Sequence, residues 1–332
     1  MSVLKVSGLF KRFNLEAGFF ARFGRFVNAV NDISFSIGKN EAYGLVGESG
    51  CGKTTTARLL VRMYEADAGE IIYNSASCGE DESMSVINLK KDDLKFYREK
   101  VRYIFQDPAR SLNPRMSVYE VLVSGCRKPL RQRGVSEREL RKKAADILEE
   151  AGLQAADLDK RPSEFSGGQR QRISIARALL MEPEVLICDE VVSALDVSIQ
   201  GQILNLLLDI RKKRNISFLF IAHDLKVACY FCDRIGVMYK GELMEEAPAA
   251  DLYREGLHPY TKLLFSSAAG NADKSEISSS NSSSITSNFS LSSCSFVSRC
   301  PIAAEKCRGE HPALTEIKEG HLIRCFNYKQ DQ

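Results

Sequence analysis

The eight residues Gly47-Glu48-Ser49-Gly50-Cys51-Gly52-Lys53-Thr54 restrict what this chain can become more than any other stretch. They fit G-x-x-x-x-G-K-[ST]. In such a loop the backbone N–H groups wrap phosphates, the lysine reaches the terminal ones and the threonine hydroxyl holds Mg²⁺. The flanks decide whether the match carries chemistry. Ala42-Tyr43-Gly44-Leu45-Val46 before it is a short apolar run that reads as a buried strand. Thr55 to Met63 after it reads as a helix, with Leu59, Leu60 and Met63 at helical spacing. A helix starting at Lys53 points its free N–H groups and the positive end of its dipole at an anion. Strand, glycine loop and helix in that order predict a nucleotide phosphate site built from Gly47, Ser49, Gly50, Cys51, Gly52, Lys53, Thr54 and Thr55.

The surrounding chain alternates strands with helices. Val30 to Ile37 alternates apolar and polar residues as a half-buried strand does, and Gly38 ends it; Leu4-Lys5-Val6 is a shorter case. Gly18 to Arg25, aromatic and basic without a period, reads as an inserted loop. Ile71-Ile72-Tyr73 is another short strand, followed by a polar acidic stretch from Gly79 to Ser83. Residues 183–189 and 216–222 are buried-strand runs. Between Ser117 and Arg161 the pattern is helical: Ser136 caps a helix to Ala151 with Leu140, Ala144, Ile147 and Leu148 on one face, and Gly152 stops it. The alternation predicts an α/β fold with a mainly parallel sheet covered on both faces and a helical block inserted between its halves.

At 332 residues the chain holds one large domain with an appendage, or two modest domains. A net charge of +3 is too small to argue for nucleic acid or anionic lipid. No apolar run approaches the roughly 20 residues that cross a bilayer, and the first residues lack the apolar core of a signal peptide. The expectation is a cytosolic setting in which the ten cysteines stay reduced.

Phosphoryl transfer needs Mg²⁺ held from two sides and a water in line with the γ-phosphate. Asp189 ends the apolar run Val185–Cys188, at the carboxyl end of a strand where α/β sheets bind ligands, and suits the second Mg²⁺ contact. Glu190 beside it suits the orientation or deprotonation of the attacking water.

Phe165–Gln169, Tyr103–Asp107, Ser193–Asp196 and Ile221–Asp224 add four further motifs, with which the chain over residues 1–250 resembles the ATP-binding subunits of ABC transporters. Phe165-Ser166-Gly167-Gly168-Gln169 is similar to the signature motif, and small residues at its helix start offer bare N–H groups to an anion. Tyr103-Ile104-Phe105-Gln106-Asp107 resembles the Q-loop, Ser193-Ala194-Leu195-Asp196 the D-loop and Ile221-Ala222-His223-Asp224 the switch region. The resemblance implies a P-loop NTPase core of ABC type with an antiparallel β portion at the N-terminus. It places Gln106 near Mg²⁺ and the water, and His223 on the γ-phosphate. It puts Phe13 on adenine, a role for which Phe23 and Phe26 compete. It further implies that Ser166, Gly167, Gly168 and Gln169 close over the ATP of a second subunit. Two chains then make two composite sites, and coupling passes from Gln106 through the helical insert to a membrane permease.

A narrower resemblance, to the dipeptide/oligopeptide and nickel import ATPases, rests on Asp107 to Met116, on Gly256-Leu257-His258-Pro259-Tyr260-Thr261 and on the C-terminal module. It implies an ATPase domain over 1–254 with a helical subdomain at 90–165. An extension over 255–332 follows, with a Ser-rich linker at 270–293 and a four-cysteine module at 294–325. The partners implied are a second ATPase subunit, two permease subunits and an extracytoplasmic solute-binding protein, with the chain on the cytoplasmic face of the membrane and no nucleic acid bound. A nickel importer and the ATPase of a soluble phosphonate-degrading complex share these motifs and stand as alternatives.

Cys294, Cys300, Cys307 and Cys325 follow the spacing C-x₅-C-x₆-C-x₁₇-C, without the close pairs usual for zinc. Four thiolates suit a [4Fe–4S] cluster, which some members of the resembled subfamily carry at this place; free, packed cysteines are the other reading. His321 and Pro312 read as packing or turn residues.

Overall fold

A computed structural model describes residues 2–14, 26–75, 83–268 and 293–328. The strands, in chain order, are β1 (Ser2–Asn14), β2 (Phe26–Gly38), β3 (Ala42–Val46), β4 (Ala68–Asn74), β5 (Ser83–Ser85) and β6 (Val101–Ile104). They continue as β7 (Val185–Asp189), β8 (Ser217–Ala222), β9 (Arg234–Tyr239), β10 (Glu242–Pro248), β11 (Thr315–Lys318) and β12 (His321–Ile323). The helices are α1 (Lys53–Leu60), α2 (Lys91–Lys100), α3 (Pro108–Ser111), α4 (Val118–Val123), α5 (Arg127–Gln132) and α6 (Glu137–Glu150). After them come α7 (Gly167–Leu179), α8 (Val197–Arg214), α9 (Leu225–Phe231), α10 (Ala249–Arg254), α11 (Pro259–Ala268) and α12 (Glu305–Gly309). The chain divides into two compact units. One comprises Met1–Leu4, Ile37–Glu41 and Tyr73–Ile221; the other comprises Lys5–Ser36, Ala42–Ile72 and Ala222–Gln332.

In the first unit β6, β7 and β8 lie parallel, with Val185 opposite Val101 on one side and Ser217 on the other. Every residue of β7 and of β8 is buried, which is why both read as continuous apolar runs rather than as alternations. β6 has no counterpart among the sequence expectations, because four residues, buried at both ends and half-buried between, carry too little pattern to separate from a loop. The helical block contains α4, α5 and α6. Ser117 and Ser136 each close a capping box, with Glu120 and Glu139, at the starts of α4 and α6. The α6 face is the one expected, Leu140, Ala144, Ile147 and Leu148 being buried, and Gly152 leaves the helix at φ +78°.

In the second unit β3 pairs parallel with β9, and from β9 outward the pairing turns antiparallel through β10, β12 and β11. A tight turn at Lys240 and Gly241, both at positive φ, joins β9 to β10. β1 lies between β2 and β4. α1 begins at Lys53 as expected but ends at Leu60; the chain turns left-handed at Arg62, so Met63 stands outside the helix and is 46% exposed, not on its buried face. The loop expected over Gly18–Arg25, Phe23 within it, most of the acidic stretch after Gly79 and the Ser-rich linker lie outside the described residues.

Candidate functional site

The phosphate loop lies in the second unit, between the fully buried β3 and α1. Its glycines are structural necessities. A Cβ on Gly52, at φ +110°, would stand 2.0 Å from the Ala29 carbonyl oxygen, and one on Gly47 would stand 2.1 Å from that of Met238. Lys53 is 4% exposed, and its Nζ donates to the Gly47 and Glu48 carbonyls at 2.7 and 2.9 Å. The lysine thus curls back over its own loop, where a phosphate would meet it. Cys51 is buried within the same turn; burial pushes its thiol up, against the pull of Lys53. Ser49 and Gly50 are exposed, and Thr54 and Thr55 half-buried, on the open side of the loop and the first turn of α1. The Gly241 N–H donates to the Cys51 carbonyl at 2.8 Å, pinning the loop to the β9–β10 turn.

The first unit brings the predicted carboxylates together. Asp189, 3% exposed at the end of β7, accepts a hydrogen bond from the Tyr103 hydroxyl. Glu190 accepts one from the Gln106 amide at 2.7 Å. Glu190 is also a non-glycine residue in the left-handed region, at φ +49°, which turns its side chain out of the strand direction. Its N–H donates to the Ile221 carbonyl at 3.1 Å, and its own carbonyl accepts from the Ser193 N–H at 3.1 Å and hydroxyl at 2.8 Å. Tyr103 is a residue that the motif alone left without a role. The signal is the register that sets it opposite Ile187 on β7, two residues before Asp189.

At the signature stretch, Ser166 caps α7: its hydroxyl accepts from the Gln169 N–H at 3.3 Å, while the Gln169 side chain accepts from the Ser166 N–H at 2.9 Å. Ile173, Ala176, Leu179 and Leu180 are buried on the inner face. A Cβ on Gly167 would touch Leu195 at 3.6 Å, and one on Gly168 would crowd Ile199 at 2.6 Å, so the signature glycines pack on the segment around Asp196. Asp196 is exposed at the start of α8. Arg177 of α7 donates to the Ser111 carbonyl at 2.7 Å, tying that helix to the segment after the Q-loop. In the second unit His223 is exposed just past β8, and Asp224 caps α9 by accepting from the Lys226 N–H at 2.8 Å. Phe13 is half-buried edge-to-face on Tyr64 at 5.4 Å, whereas Phe26 is 52% exposed under the Arg12 guanidinium at 4.3 Å.

Cys294, Cys300, Cys307 and Cys325 all line one small cavity, together with Phe296, Val297, Ile302 and Phe326. The Cys294 N–H donates to the Cys307 carbonyl at 2.9 Å, and Asn327 offers N–H groups to the sulfurs of Cys325 at 3.4 Å and Cys307 at 3.7 Å. Burial pushes the Cys294 thiol up to about 11 and raises Cys300 and Cys325 as well. Among the described residues no three His, Cys, Asp or Glu side chains gather around a single metal-ion position, which withholds direct support from the expected metal site. His321 is a packing residue, as expected: buried, it lies 2.8 Å from the Glu245 carboxylate. The Pro312 carbonyl accepts from Arg324 at 3.2 Å.

Comparison with known proteins places these elements. Residues 30–193 match the family described as ABC transporter, and residues 244–307 match the oligopeptide/dipeptide transporter C-terminal region. The oligopeptide transport ATP-binding protein OppF of Bacillus subtilis is 49% identical over 240 residues, covering 72% of this chain and 76% of that protein. AppF of the same organism, also an oligopeptide transport ATP-binding protein, is 38% identical over 336 residues, covering 98% of each chain. The probable peptide ABC transporter ATP-binding protein y4tS of Sinorhizobium fredii is 37% identical over 98% of this chain and 89% of its own. Among solved structures, cbiO1 of Clostridium perfringens, part of an ABC transporter complex, superposes with a TM-score of 0.63 at 26% identity, covering 76% of this chain and 91% of that one. A dimeric ATP-binding cassette bound to ADP and phosphate gives 0.61 at 26% identity, covering 74% and 98%. With its phosphate loop, strand-end carboxylates and capped glycine helix all in family order, the chain belongs to the ABC transporter ATP-binding proteins of the oligopeptide/dipeptide type.

Proposed function

We propose that this ABC ATPase energises a peptide importer by closing in pairs on ATP and hydrolysing it. The observation that carries the reading is the phosphate loop with Lys53 already curled over it, joined in one chain to a C-terminal region of the oligopeptide/dipeptide type. Relatives aligned over nearly the whole chain bear peptide-transport names, which favours peptide import over nickel import or a soluble phosphonate-degrading complex.

In this reading Lys53 and the amides of Gly50, Cys51, Gly52, Thr54 and Thr55 neutralise the phosphates. Thr54 and Asp189 would hold Mg²⁺ with help from Gln106, and the ion would supply positive charge against the phosphates. Tyr103 keeps the Asp189 carboxylate turned to its task. Glu190 takes the proton of the attacking water while Gln106 fixes the other carboxylate oxygen, and His223 meets the γ-phosphate. Ser166, Gly167, Gly168 and Gln169 of a second cassette complete the cage, Asp196 lies at the same seam, and Phe13 or Phe26 takes the adenine. The ATPase domain runs over 1–254, with its helical subdomain at 90–165 addressing two permease subunits on the cytoplasmic face of the membrane. An extracytoplasmic binding protein delivers the peptide. Residues 255–332 form the extension with its linker at 270–293 and its cysteine module at 294–325.

Within that module we read the four cysteines as ligands of a [4Fe–4S] cluster. Four thiols around one apolar cavity, with N–H groups directed at two of the sulfurs, suit a cluster better than one ion. The raised thiols mean that loading releases protons. Anaerobic purification should yield iron, labile sulfide and absorption near about 400 nm; protein with neither iron nor sulfide rejects the cluster. The import reading is tested by purifying the native complex and identifying its subunits: permeases and a solute-binding protein are expected, and lyase subunits in their place overturn it.

A further inference from the structure

We propose that Arg299 and Tyr260 are positioning residues of the nucleotide site: they grip Glu48 from two directions and thereby set the shape of the phosphate loop and its affinity for ATP. The inference rests on reading Gly47–Thr54 as the phosphate loop. It extends that site into the C-terminal segment, which no motif connects with nucleotide.

Glu48 is held at each of its polar groups. Its backbone N–H donates to the Tyr260 hydroxyl at 2.9 Å, and its two carboxylate oxygens each accept from one arm of the Arg299 guanidinium at 2.8 Å. Its carbonyl accepts from Lys53 Nζ at 2.9 Å and from the Cys51 N–H at 3.3 Å. The last two contacts carry the functional argument. Lys53, which must reach the phosphates, rests on the carbonyl of the residue that Arg299 and Tyr260 hold. Displacement of Glu48 therefore moves both the resting place of the ammonium and the amides on either side of it. A loop whose donors are fixed before the ligand arrives loses less on binding than one that must be ordered.

The grip is itself built firmly. Tyr260 packs against Tyr239 at 4.7 Å and Phe296 at 5.4 Å between ring centroids. The Arg299 guanidinium stands 5.8 Å from each of the rings of Tyr239 and Phe296. An isolated ion pair on the surface contributes little because two long side chains must be ordered for it. Here the pair is a two-armed fork, one partner has aromatic walls, and the backbone of the other belongs to a tight loop, so most of that ordering cost is already met. Arg299 also immediately precedes Cys300, so the cysteine cavity and the phosphate loop share a border one residue wide.

The test is equilibrium binding of mant-ATP with Mg²⁺ to the full-length chain, with thermal melting followed in parallel. Arg299→Met, Glu48→Gln and Tyr260→Phe are each expected to raise the Kd by about 3- to 10-fold. Arg299→Lys should recover part of the loss, because it keeps the charge but not the fork. Arg299→Met and Glu48→Gln combined should cost little more than either alone. Affinity within about twofold of wild type in all three single variants, whatever their melting temperatures, overturns the proposal, as does full additivity in the double variant. Should Arg299→Met fail to fold, Tyr260→Phe, which removes one oxygen, carries the test alone. Failure of the wild-type chain to bind Mg-ATP would strike the site reading itself, whereas wild-type binding with unaltered variants strikes only the grip.

Discussion

Glu190 occupies a backbone conformation that non-glycine residues enter at a cost of about 1–3 kcal/mol, and hydrogen bonds to Ile221 and from Ser193 hold it there. The turn points its carboxylate at Gln106 instead of leaving it along β7, which is what a base for an incoming water needs. Glu190→Gln should keep Mg-ATP binding and lower kcat by about 10²-fold or more; steady-state hydrolysis near the wild-type rate would remove Glu190 from that role. Tyr103 acts one step further from the reaction. Tyr103→Phe keeps the ring packed on Phe105 but takes the hydroxyl from Asp189. The Mg²⁺ concentration for half-maximal ATPase activity should rise about 10-fold or more, the loss expected for one hydrogen bond to a charged group. An unchanged Mg²⁺ titration shows that the hydroxyl does not orient the carboxylate.

Two helices with the same kind of cap separate stability from function at the level of elements. Ser136 on α6 and Ser166 on α7 each close a capping box, so each changed to Ala should lower unfolding stability by about 1 kcal/mol. The Ser136 change should stop there. In the proposed pairing Ser166→Ala should also slow ATP hydrolysis, because the same hydroxyl and the amides behind it would face the partner's nucleotide. Equal ATPase rates in the two variants, measured beside matched thermal melts, would reduce the signature serine to a cap. α1 gives a harsher case. Gly52→Ala adds a Cβ that would stand 2.0 Å from the Ala29 carbonyl at a φ of +110°, so the loop must move. ATP affinity should fall by more than about tenfold even if the chain stays folded, which nucleotide titration with circular dichroism can check.

For the molecule as a whole, the C-terminal segment carries an acid sensitivity of its own, set by a buried histidine. Burial pushes His258 down to about 4, against the opposing pull of Glu245, and its Nδ1 accepts the Tyr260 N–H at 3.0 Å. Unfolded, a histidine titrates near about 6.5, so between that pH and about 4 the unfolded chain binds the extra proton and the folded one does not. Stability should therefore fall as pH drops through this window, by about 3 kcal/mol from this group. Glu245, also buried, is held below the usual carboxylate range: burial opposes its charge, but hydrogen bonds led by His321 and the amides of Leu257 and His258 outweigh it. Its contribution is present above the unfolded carboxylate value and is lost only as pH falls further. Thermal melts from pH 7.5 to 5 should show the decline, and His258→Asn should flatten it; identical slopes in the two proteins would exclude the histidine as its source.

The local part of this protein was legible in its residues. The glycine loop, the buried β3, β7 and β8 and the cap of α6 all depend on neighbours a few positions away, where spacing is itself geometry. β6 escaped because four residues carry no period, and Met63 was misplaced because a helix stop at Arg62 involves no glycine or proline to announce it. Tertiary structure alone decided the rest. It set the Tyr103 hydroxyl on Asp189, gathered four widely spaced cysteines around one cavity, and laid Tyr260 and Arg299 on a loop more than two hundred residues away. Such contacts depend on how strands register and where the chain returns, and no window of sequence contains both partners.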